Sequence, residues 1–82
     1  MLDVVEVRHL HDYVLWVRFD DGTEGEVDLR AELWGEMFEP LQDVGLFGRV
    51  SVNPDTGTIE WPNGADLAPE YLLERVRSTP IK

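Results

Sequence analysis

The 82-residue sequence contains no cysteine. That excludes disulfides and thiolate chemistry, and it removes the commonest structural zinc ligand. Small secreted domains usually depend on disulfides, so the cytoplasm is the expected compartment. Long apolar runs are missing as well. The longest, Val14-Leu15-Trp16-Val17, is far short of the roughly 18 residues needed to cross a bilayer. The opening Met-Leu-Asp-Val-Val-Glu lacks the basic region of a secretory signal. Positive charge is scarce: seven Lys and Arg stand against 17 Asp and Glu, for a net charge of −10. Such an excess repels phosphate backbones and anionic lipid, so neither direct nucleic-acid binding nor membrane binding is expected. Nucleophile motifs are absent too. Ser51, Ser78 and the threonines sit in no nucleophile elbow, and there is no P-loop or dinucleotide glycine motif.

What is present suits one folded domain over residues 1–82, with no repeat, low-complexity tract or linker. Hydrophobic residues make up 43% of the chain and eight residues are aromatic, too much apolar material for a disordered segment. A chain of this length buries somewhat over ~60% of its unfolded surface. That is enough for one modest core and leaves little room for a deep catalytic cavity. The expected radius of gyration is roughly 12 Å.

The first half alternates with period two, the signature of strands. Val5 and Val7 alternate with Glu6 and Arg8. Tyr13, Leu15, Val17 and Phe19 alternate with Val14, Trp16, Arg18 and Asp20. Gly25, Val27 and Leu29 alternate with Glu24, Glu26 and Asp28. His11-Asp12 and Asp20-Asp21-Gly22-Thr23 separate these runs as turns. The result is an antiparallel three-stranded meander with one apolar face. The other face carries Glu6, Arg8, Trp16, Arg18, Glu24, Glu26 and Asp28.

A short helix is predicted over residues 29–38, with Asp28 as its N-cap and Leu33, Met37 and Leu41 as an apolar stripe. Gly35 interrupts or ends it. Asp43-Val44-Gly45-Leu46-Phe47 reads as one further turn. A second β-hairpin follows: Val50 and Val52, the turn Asn53-Pro54-Asp55-Thr56-Gly57, then Ile59 and Trp61. Pro62-Asn63-Gly64 breaks that strand. Pro69 and Glu70 suit the first turn of a C-terminal helix with Leu72 and Val76 buried, ending at Ser78-Thr79-Pro80. The fold class is α+β.

Few groups carry chemistry. His9 and His11 would share one strand face and could form part of a metal or enzyme site with the sheet carboxylates. A zinc site needs three or four placed ligands, so two surface histidines near a turn is the favoured reading. Asp20-Asp21-Gly22-Thr23-Glu24 has its glycine in the wrong position for an EF-hand loop and reads as a charged turn. Glu24, Glu26 and Asp28 share a face, but acid–base work requires a pocket that shifts their pKa values. They are expected to be solvated opposite Arg8 and Arg18. No metal or cofactor is implied.

The charge is uneven. Residues 20–43 hold nine acids against Arg30 alone, whereas residues 75–82 hold Arg75, Arg77 and Lys82 without an acid. The bland explanation is a solvated, solubilising face; the functional one is attraction of a basic protein partner. Trp16 and Trp34 are the candidate exposed aromatics, with partial burial the more common fate of tryptophan in a domain this small.

The runs Tyr13–Gly22, Val27–Leu29, Phe38–Leu41 with Phe47, and Ile59–Glu70 together resemble the bacterial domain-of-unknown-function 2442 family. The resemblance covers nearly the whole chain, and its most specific piece is Trp61-Pro62-Asn63-Gly64-Ala65-Asp66-Leu67-Ala68-Pro69-Glu70. It implies a small α+β domain with no known catalytic residue to carry over. It also implies a setting similar to toxin–antitoxin pairs, in which many members lie beside a small partner protein. Some members are fused to a helix-turn-helix segment; no such segment is expected here. Ala68 replaces the capping serine common before the proline, weakening the helix start by about 1 kcal/mol unless Asp66 caps instead. The motif has a structural explanation as strand end, tight turn and helix start. Its functional alternative is a polar recognition notch built from Asn63 and Asp66.

The expectation is therefore a cytoplasmic protein-binding module, antitoxin-like, for a small basic protein. Its candidate binding residues are Trp16, Asp20, Asp21, Glu24, Glu26, Asp28, Trp34, Asn63 and Asp66. The alternatives are a small enzyme or metal site using His9 and His11, and a domain that homodimerises through exposed sheet surface or an edge strand.

Overall fold

The structure is a computed structural model that describes residues 2–78, and side chains as far as Val76. The predicted helix end at Thr79-Pro80 and the basic residue Lys82 lie outside the described residues, as does the Arg77 side chain. The architecture is α+β. A three-stranded antiparallel sheet is formed by β1 (Val4–His11), β2 (Val14–Phe19) and β3 (Glu24–Asp28), in that order. A single helical turn, α1 (Val44–Phe47), leads to the hairpin β4 (Ser51–Asn53) and β5 (Thr58–Glu60), and the helix α2 (Pro69–Ser78) follows. The radius of gyration is 11.9 Å, as the length predicts.

One cluster fills the space between these elements. Leu15, Val17, Phe19 and Val27 descend from the sheet and meet Leu41, Phe47, Ile59, Trp61 and Leu72. The Trp61 indole N–H donates to the Phe47 carbonyl at 2.9 Å. The ring of Phe47 meets Tyr13 edge-on at 5.3 Å between centroids. Buried Thr58 satisfies its hydroxyl by donating to the Leu67 carbonyl.

Two turns behave as their sequences predict. Gly22 takes φ +90° at the β2–β3 tip, where Thr23 N–H donates to the Asp21 carboxylate at 2.9 Å. Gly57 takes φ +71° and its N–H closes on the Asn53 carbonyl at 2.8 Å. The Gly57 carbonyl in turn accepts from Val4 N–H at 2.8 Å, joining the second hairpin to the outer edge of β1. The Trp61–Asp66 run is likewise a tight turn, with Gly64 at φ +91° and Pro69 opening α2.

Two expectations are corrected. The first is the alternation in β1. The pairing shifts register between Val4 and Glu6 and again between His9 and His11. Each shift inserts one unpaired residue, a β-bulge, and reverses the face on which the following residues fall. Val4 is therefore buried and Val5 exposed. His9 stands opposite Leu15 and His11 opposite Val14, so the two histidines project from opposite faces of the sheet. The turn itself is Asp12-Tyr13, with Asp12 at φ +42°.

The second concerns residues 29–38, which form no continuous helix. Single 3-10 turns at Arg30–Glu32 and Glu39–Gln42 flank an irregular loop. Gly35 adopts φ +87°, which breaks the helical path. The supposed apolar stripe consequently splits: Leu33 and Leu41 are buried, but Met37 is turned outward. Leu29 occupies the cap position of the first turn, while the Asp28 carboxylate accepts Arg30 N–H at 3.0 Å.

Candidate interaction surface

The loop Leu33–Pro40 is irregular but held at four points. Buried Leu33 offers its carbonyl to the Gln42 side-chain amide at 2.7 Å. Glu39 N–H donates to the Gly35 carbonyl at 2.9 Å. The Asn63 side-chain amide donates to the Met37 carbonyl at 2.8 Å. Phe38 packs edge-on against Trp61, with centroids 6.2 Å apart. This frame presents Trp34 at 72% exposure and Met37 at 46%. A surface cavity of about 460 Å³ beside them is lined by Gly35, Glu36, Glu39 and Pro40. The loop thus combines exposed apolar side chains with two carboxylates.

The remaining acids of residues 20–43 are dispersed, several of them into local structure. Asp21 and Asp28 cap turn amides, and Asp43 accepts Gly45 N–H at 2.9 Å as the cap of α1. Glu32 pairs with Arg75 of α2. Asp20 is exposed at the hairpin tip. Glu24, Glu26 and Asp28 share the outer face of β3, opposite Arg18, Trp16 and Val14. The arginines of that face close on a different carboxylate: both Arg8 and Arg18 reach Glu6 at 2.9 Å. Trp16 is half-buried there, with the Arg8 guanidinium 5.5 Å from its ring centroid.

The Asn63–Asp66 notch is spoken for at Asn63. Its carbonyl oxygen accepts Ala65 N–H at 3.1 Å while its amide holds Met37. Asp66 is exposed, and its backbone bridges to Glu60. The Trp-Pro-Asn-Gly segment thus supports the exposed loop from beneath.

His9 leans edge-on against Phe47 at 5.6 Å, and its Nε2 lies 2.8 Å from the Asp12 carbonyl. His11 Nδ1 is 3.3 Å from the Asp12 carboxylate. Among the described residues, no group of three or more His, Asp or Glu side chains converges as metal ligands would. No helix among them is long and apolar enough to cross a membrane.

The sequence pattern gives Met37, Tyr13, Arg30 and Gln42 no part in a site. Met37 was masked by its helical spacing from Leu33. For Arg30 a signal existed: it is the lone base in the acidic segment.

The α+β domain thus joins a small core to a braced, exposed apolar loop flanked by the carboxylates of Glu36 and Glu39. Its family is settled by a match between residues 4–78 and the model of a protein of unknown function, DUF2442; the chain belongs to that family. No curated protein and no solved structure matches it.

Proposed function

We propose that this protein is a cytoplasmic protein-binding module that docks a small basic partner, in an antitoxin-like pairing, through the loop Leu33–Pro40. The observation that carries this reading is the 72% exposure of Trp34 on a loop held by Gln42, Asn63 and Trp61. Exposing a tryptophan forfeits the burial free energy of its ring, and holding its loop in place reduces the entropy lost on binding. Tryptophan is also among the residues that dominate interface energetics. Glu36 and Glu39, beside it, supply negative charge that steers and orients a cationic partner. The complementary surface is an apolar side chain flanked by Lys or Arg. A role in binding rather than catalysis is supported by the separation of His9 and His11 onto opposite faces.

The test is co-expression with the product of the neighbouring gene, followed by affinity measurement on the purified complex. A stable complex is expected. Trp34→Ala should weaken it at least tenfold, and the Glu36→Gln/Glu39→Gln pair should slow association and flatten its salt dependence. Absence of a complex, or a complex indifferent to Trp34→Ala, refutes the reading.

A further inference from the structure

Arg8, Arg18 and Arg75 each close on a carboxylate. Arg30 does not, although it is the only base in a segment with nine acids. Among the described residues its guanidinium meets no carboxylate. It lies instead over the Tyr13 ring, 5.0 Å from the centroid. Tyr13, Arg30, Leu33 and Gln42 together line a cavity of about 330 Å³.

The walls of this cavity are built. The Tyr13 hydroxyl donates to the Gln42 carbonyl. The Gln42 side-chain amide donates to the Leu33 carbonyl at 2.7 Å, and Tyr13 is braced edge-on by Phe47. The tyrosine ring gives the guanidinium an aromatic neighbour, and its N–H groups remain available for an acceptor. A planar guanidinium presenting two parallel N–H groups matches a carboxylate.

We propose that this cavity binds a single, singly charged carboxylate, held by Arg30 in a bidentate pair, with the attached apolar group against Tyr13 and Leu33. The surroundings limit the charge. Asp28 accepts the Arg30 backbone N–H at 3.0 Å, so a carboxylate already sits at the base of the arginine. Glu36 and Glu39 lie on the adjoining loop. A doubly charged phosphate meets that repulsion twice over, whereas a monocarboxylate meets it once. The carboxylate of a peptide terminus and that of a free organic acid share this chemistry. The site does not depend on Trp34.

The test is a set of amide and arginine side-chain NMR titrations of the full chain at constant ionic strength. The probes are acetate, 4-methylpentanoate, N-acetyl-leucine, N-acetyl-leucine amide, phosphate and chloride. Acetate and N-acetyl-leucine should shift the Arg30 Nε–H and the Gln42 side-chain amide saturably; the amide, phosphate and chloride should not. N-acetyl-leucine should bind at least tenfold more tightly than acetate through its apolar group. 4-Methylpentanoate, which carries that group without the amide, assigns the site to free acids if it binds as tightly and to peptide termini if it binds tenfold more weakly. Equal binding of acetate and N-acetyl-leucine overturns the placement against Tyr13 and Leu33. Arg30→Gln should weaken binding at least tenfold. Arg30→Lys, which keeps the charge but loses the fork, should weaken it several-fold with the spectrum of the rest of the chain unchanged. Non-saturating shifts, phosphate binding as tight as acetate, or unchanged affinity in Arg30→Gln overturns the proposal.

Discussion

Gly57 carries two constraints at one residue. Its φ of +71° disfavours any side chain, and an added Cβ would run into the Asp3 carboxylate. Gly22, at φ +90°, has open space around the same position. Strain alone should make Gly22→Ala cost about 1 kcal/mol. Gly57→Ala should cost more, about 2–3 kcal/mol, because the Asp3 backbone or side chain must also move. Urea unfolding of the two variants with an unchanged slope checks the ordering. The tryptophans give a second contrast. Trp61→Phe strands the buried Phe47 carbonyl and shrinks a filled site, so a loss of about 2–3 kcal/mol is expected. Trp34→Phe should stay within about 0.5 kcal/mol of the parent, as an exposed substitution does. Equal losses at the two positions would contradict the core assignment of Trp61.

Between elements, β3 and α2 approach closely. A Cβ placed on Gly25 would sit 2.8 Å from the Val76 Cγ1. Gly25→Ala should therefore destabilise by about 1–3 kcal/mol through overpacking. In the Gly25→Ala/Val76→Ala double variant part of that loss should disappear, so a double-mutant cycle on unfolding free energies reads the contact directly. The same helix is fastened by Arg75, which donates to the Tyr71 hydroxyl at 3.0 Å and pairs with Glu32. Burial, and then the hydrogen bond to Glu32, raise the Tyr71 phenol above its ordinary 10.0, with Arg75 opposing. The folded state thus holds this proton more tightly than the unfolded chain. The corresponding stability is present below the unfolded value and is lost as pH rises through the folded one. Alkaline unfolding curves should fall beyond pH 10, and Tyr71→Phe should flatten that fall.

The order of elements was legible in the sequence because most of it rests on local rules. Alternation marks β2 and β3, Asn-Pro-Asp-Thr-Gly marks the second turn, and Pro69 marks α2. The bulges in β1 were not legible, since nothing in Val4-Val5 says which valine is the extra one. The residues 29–38 misled for a related reason. Leu33 and Met37 have helical spacing, but Gly35 exploits a backbone region that spacing does not report. The site was half legible: Trp34 could be named, yet its exposure follows from how Asn63 and Gln42 hold a distant loop.

At the scale of the molecule, a net charge of −10 on so small a body opposes its own folding. Raising ionic strength from low to physiological should therefore raise the thermal midpoint, because the Debye length shrinks to about 8 Å and screens the repulsion. A midpoint that falls with added salt would mean that attractive pairs such as Glu6 with Arg8 and Arg18 outweigh the repulsion. The acids are also less of a single face than their clustering in sequence suggests, since several are consumed by turns and by Arg75.

The hydrogen bond from Val4 N–H to the Gly57 carbonyl bears on the order of assembly. The three strands of the meander are neighbours in sequence and close through turns of a few residues, which is fast. The second hairpin must close a loop reaching from residue 4 to residue 57 before it can cover β1. A chain halted before that hairpin has been made would hold a finished meander whose first strand, with Val4 and Val5 along it, is bare on its outer side. Such an edge invites pairing with another chain. The second hairpin accordingly guards the start of that edge, around Val4, against pairing with unfinished copies of the chain.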